Sequence, residues 1–148
     1  MANVDETTAK VQRFLVASFG SVSVDEEGFF VSGGADRPPV WVRIRKWLDD
    51  DEGQTTSLVY LWTAVGGPVP PTPELYEWIA SSDQWFGALG TWTNEEEGTV
   101  QVKYDYALLG SFLDREELFN AVMSVHFGGK AAEKELVERF GGKRWIDE

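Results

Sequence analysis

Cysteine is absent from the 148 residues, which excludes disulfides, thiolate metal sites and cysteine nucleophiles. Histidine occurs once, at His126 within a predicted helix, so a multi-histidine metal site is excluded, and a lone helical histidine is more often a packed or surface residue than a catalyst. The longest apolar run, Leu58–Val65, includes Tyr60, Trp62 and Thr63 and falls far short of the roughly 18 residues of a membrane span. Met1–Lys10 is polar, of mixed charge and without an apolar core, so it does not read as a signal peptide. Positive charge is scarce: 13 Lys and Arg stand against 25 Asp and Glu, a net charge of −12. Such a surface repels phosphate backbones and anionic bilayers, which argues against nucleic acid or a membrane as the main partner. The expectation is a cytoplasmic protein.

What is present is a core. Hydrophobic residues make up 43% and aromatics 14%, enough for one domain over residues 1–148 and too much for a disordered acidic tail.

Val11, Phe14, Leu15 and Phe19 recur at helical spacing, predicting a helix over Asp5–Phe19 stopped by Gly20. Val22–Val24 and Phe29–Val31 flank the turn Asp25–Gly28 and read as a short hairpin. Val40–Leu48 and Thr55–Val65 form a long hairpin around the acidic turn Asp49–Gly53. Gly66–Pro73, with two glycines and four prolines, reads as a loop, and Thr72-Pro73 as the cap and first position of a short helix ending near Ser82. Trp85–Thr93 and Thr99–Tyr106 form a further hairpin about the turn Asn94–Gly98. Asp114 caps a last helix that runs to Phe140, in which Gly128-Gly129 interrupts the apolar pattern and leaves a kink or a split open, and Lys143–Glu148 reads as an amphipathic tail that either packs back on the body or serves as a contact. Antiparallel hairpins punctuated by helices predict an α+β fold: an antiparallel β-meander with helices on one face, in the order α-β-β-β-α-β-β-α with one extra short strand.

Alternation divides the strands into two faces. Val40, Val42, Ile44, Val59, Leu61, Val65, Val100, Val102, Tyr104 and Tyr106 share the core face. Trp41, Arg43, Arg45, Trp47, Tyr60, Trp62 and Lys103 share the other, with Gln101 and Asp105 also turned away from the core. Tryptophan and arginine are enriched at binding hot spots, so these seven are the candidate partner-binding residues. The same residues can also simply shield a sheet with their rings and alkyl stems.

The chemical motifs fail. The acidic turns lack the spacing of a calcium loop, and no carboxylate pair stands out as a glycosidase set. Gly128-Gly129-Lys130 and Gly141-Gly142-Lys143 lie in or after a helix, where a phosphate loop does not sit. No catalytic residue, metal or cofactor is expected.

The element order resembles a known family. The N-terminal helix, the Val40-Trp41-Val42-Arg43-Ile44-Arg45 strand, the long Leu58–Val65 strand, the Pro-rich approach to a short helix, the second hairpin and the final helix are similar to the YbjN-like proteins. Their fold is similar to that of type III secretion chaperones. The resemblance spans about residues 10–140 and lies in element order and hydrophobic texture. It implies a non-enzymatic protein- or peptide-binding domain, often a homodimer, and carries over no site residue. The acidic surface favours basic partners in this reading. The alternative is a small-ligand binder or enzyme with an aromatic-lined pocket between sheet and helices.

Overall fold

The structure, a computed structural model, describes residues 3–20, 22–34, 38–49, 55–82, 87–93 and 98–144. Helix α1 (Val4–Phe19) starts where the Asn3 side chain accepts a hydrogen bond from the Glu6 amide, with Asp5 and Glu6 at the positive end of its dipole. Gly20, at φ 81°, closes it. The chain then forms β1 (Ser23–Asp25), β2 (Gly28–Val31), β3 (Val40–Asp49) and β4 (Thr55–Val69). Helix α2 (Pro73–Ser81) is capped by Thr72, whose hydroxyl accepts from the Leu75 amide. There follow β5 (Ala88–Thr93), β6 (Val100–Leu109), α3 (Arg115–Phe140) and the short β7 (Lys143–Arg144).

The fold is α+β, as expected: the described residues form three helices and a seven-stranded antiparallel sheet in the order β1-β2-β3-β4-β6-β5. The short β1 is the extra strand, and β7 lengthens the sheet by pairing with the far end of β4.

Periodicity explains which side of the sheet the helices cover. Val42, Leu61 and Tyr106 are register partners in sequence across β3, β4 and β6, and all point into the core. Val11 and Leu15 of α1, Leu75 and Trp78 of α2, and Leu118, Val122, Val125 and Leu136 of α3 close over them. Val42, Leu61 and Tyr106 all belong to the strand face read as core from the alternation.

One expectation is corrected and two points that the sequence leaves open are answered. Gly66–Val69, read as loop, continues β4 and pairs with β6 and β7, with two irregularities in register and a cis peptide at Gly67-Pro68. The glycines are there for space: a Cβ on Gly66 would run into the Lys143 carbonyl, so only glycine lets β7 approach. Gly128-Gly129 neither splits nor ends α3, which is one helix of 26 residues. The start of the tail, Lys143-Arg144, is strand β7. Residues 50–54, 83–86, 94–97 and 145–148, including most of both acidic turns, the start of the strand expected from Trp85 and the rest of the tail, lie outside the described residues.

His126 is buried in α3, its Nδ1 2.9 Å from the Pro38 carbonyl. A carbonyl only accepts, so the proton of that contact sits on Nδ1. Among the described residues, no helix is long and apolar enough to cross a membrane.

Candidate functional site

The sheet face turned away from the helices carries a row of aromatic rings. The register sets it: Phe30 of β2 is opposite Trp41 of β3, which is opposite Trp62 of β4, while β6 brings Trp92 of β5 opposite Gln101. Phe30 meets Trp41 edge to face, with ring centroids 5.4 Å apart. Trp41 and Trp62 stack at 4.5 Å and 14°, and Trp92 abuts Trp62 edge-on at 5.9 Å. Such pairs contribute about 0.5–1.5 kcal/mol each beyond area burial.

Basic side chains flank the row. Arg43 is opposite Tyr60, Lys103 is opposite Ala64, and Arg45 is two residues beyond Arg43 on the same face. With Glu27, Tyr60, Trp62 and Trp92 these three line an open groove of about 320 Å³. A larger hollow, about 540 Å³, runs beside Phe127, Lys130, Lys134 and Arg144. We place the site in the smaller one, because only there do several aromatic rings and polar groups converge.

The groove holds one tight polar cluster. Tyr60 Oη donates to Asp105 Oδ2 at 2.8 Å, and Lys103 Nζ donates to Tyr60 Oη at 3.1 Å while lying 3.2 Å from Asp105 Oδ2. Burial raises the Tyr60 phenol above its ordinary 10.0; the Lys103 hydrogen bond opposes that rise and Asp105 adds to it. Burial pulls the Lys103 ammonium down, but its hydrogen bonds to Tyr60 and Asp105 outweigh this, and its pKa lies above the ordinary 10.5. Lys103 Nζ and Arg45 Cζ both lie 5.7 Å from the Tyr60 ring centroid. For Lys103 the hydroxyl hydrogen bond governs; Arg45 is the cation set against the ring.

Six of the seven candidate residues are therefore neighbours, but they do different jobs. Trp41 is only 6% exposed and donates from Nε1 to Asp25 at 3.1 Å, so it is a structural support beneath the groove, not a contact surface. Its replacement costs stability of about 3–5 kcal/mol, as for other buried tryptophans. Arg43, Arg45, Tyr60, Trp62 and Lys103 line the groove itself. Trp47 does not join them: the register shifts between Lys46 and Leu48, the bulge breaks the alternation, and Trp47 stands 53% exposed away from the groove lining.

Sequence reasoning missed Trp92 and Glu27. Trp92 follows from alternation with Leu89 and Thr91, but its place beside Trp62 needs the β5–β6 register. Glu27 reads as a turn residue, and only the pairing of β2 with β3 carries it to Arg43, 3.8 Å away.

No protein-family model and no curated protein matches this chain.

Proposed function

We propose that this chain is a non-enzymatic protein- or peptide-binding module of the chaperone-like kind, cytoplasmic and without a cofactor, that meets its partner on the uncovered sheet face. The observation that carries this reading is the pair Trp62 and Trp92, backed by Trp41 and flanked by Arg43, Arg45 and Lys103, on the face the helices leave open. Aromatic anchors beside arginines, set over a rigid sheet, are the composition of binding hot spots. In the Tyr60–Lys103–Asp105 cluster both the Tyr60 and the Lys103 pKa values are raised, so near neutral pH the phenol is neutral, the amine is charged and neither is a general base. The resemblance to YbjN-like, type III secretion chaperone-like domains agrees with the same reading.

The test is capture of a partner from native extract by the intact chain and by an Arg45→Ser/Trp92→Ala variant, with both proteins sized by light scattering. A partner held at fixed stoichiometry by the wild type, and at least about tenfold more weakly by a variant of unchanged circular dichroism, supports the module. Capture of no partner by the wild type counts against it and moves the question to a small ligand in the groove.

A further inference from the structure

Resting on that binding-face reading, we infer that the occupant of the groove is an extended acidic segment of a partner polypeptide, not the basic partner that the chain's overall charge favours, with carboxylates at alternate positions and apolar side chains close by. A molecule of net charge −12 repels such a segment over most of its surface, yet among the described residues Arg43, Arg45 and Lys103 stand in the groove against two acids, Glu27 in its lining and Asp105 in its polar cluster. The local charge is therefore opposite in sign to that of the whole chain, which orients an acidic partner toward this one face.

The cations are also available to it. Arg43 is joined to Glu27 only at 3.8 Å, with both side chains about half exposed, a pairing a competing carboxylate displaces at little cost. Among the described residues Arg45 meets no carboxylate and rests against the Tyr60 ring. Lys103 is held by Asp105 and fixes the cluster in place. A guanidinium offers a planar fork to a carboxylate, so Arg43 and Arg45 are the recognition groups and Lys103 the supporting charge.

The spacing selects an extended chain. Arg43 and Arg45 lie two residues apart on one strand face, a repeat of about 6.6 Å. An extended peptide laid along β3 repeats its own same-face side chains at that interval. Carboxylates at alternate positions then meet the two guanidiniums in register. Trp62 and Trp92, adjoining the cations, offer apolar contact to neighbouring aliphatic or aromatic side chains. Nucleic acid carries a phosphate on every nucleotide, so the phosphates beyond the groove's cations meet the repulsion of the surrounding acidic surface.

The experiment pans a library of short random peptides against the intact chain. The enriched peptides are then titrated by fluorescence anisotropy onto the wild type, an Arg43→Glu/Arg45→Glu variant and a Trp62→Ala variant, each checked by circular dichroism. The expected result is enrichment of peptides with Asp or Glu at alternate positions. Their affinity falls roughly tenfold or more in the charge-reversed variant and weakens with added salt. An Arg43→Gln/Arg45→Gln variant, which keeps the stems, gives a smaller loss. Enrichment of basic or neutral peptides that still depend on Trp62 overturns the acidic occupant and leaves the binding face standing. Failure of any peptide to enrich overturns both.

Discussion

Gly129 sits in the buried stripe of α3, where the helix crosses β4. A Cβ there would come 2.5 Å from Thr63 Cγ2, and Thr63 is pinned by its own hydrogen bond to the Pro39 carbonyl. At Gly128 it would meet the ring of the buried Tyr104 at 2.6 Å. The pair therefore marks close approach of helix and sheet, although by helix propensity alone it reads as a break. Gly129→Ala gains about 1 kcal/mol of propensity and incurs overpacking of about 1–3 kcal/mol. Urea denaturation should show a net loss of stability for Gly129→Ala; a gain would contradict the close-packing account. Nothing in the one-dimensional pattern distinguishes a glycine that breaks a helix from one that lets it pack, because the distinction lies in the strand opposite.

At the scale of elements, the strands legible in the sequence are those with strict alternation. Val40–Ile44, Val59–Leu61 and Val102–Tyr106 divide cleanly into a core face and an open face, and the structure keeps that division. Trp47 departs from it because a bulge adds a residue to β3, and a bulge has no signature in side-chain type. The far end of β4 was illegible for the opposite reason: glycine and proline suggest a loop, while β7, which holds that end in the sheet, is only two residues long. The β4–β6 ladder carries a pH dependence of its own. Tyr60 is stabilised in its neutral form and Lys103 in its charged form, so both contributions are complete below the ordinary values of 10.0 and 10.5. They are lost as pH rises through the higher folded values. Unfolding free energy, measured by urea titration along a pH series, should decline in alkali less steeply for a Tyr60→Phe/Lys103→Met variant than for the wild type. Equal slopes would mean the cluster does not couple to folding.

The whole molecule is a sheet with two unlike sides. One side is sealed by three helices around an aliphatic core; the other holds tryptophan, tyrosine and basic side chains in an otherwise acidic protein. That asymmetry was legible in outline, since five of the residues read from alternation line the groove. The groove's outer limits were not, because Trp92 and Glu27 reach it through pairings between distant parts of the chain. The central claim, that the open face and not the helical layer meets a partner, is tested most directly by site-specific photo-crosslinking in native extract. The photoreactive residue replaces Trp92 in one protein and Val137, on the exposed side of α3, in another. The account predicts a discrete protein adduct from position 92 and none from position 137. Adducts from position 137 alone would contradict it.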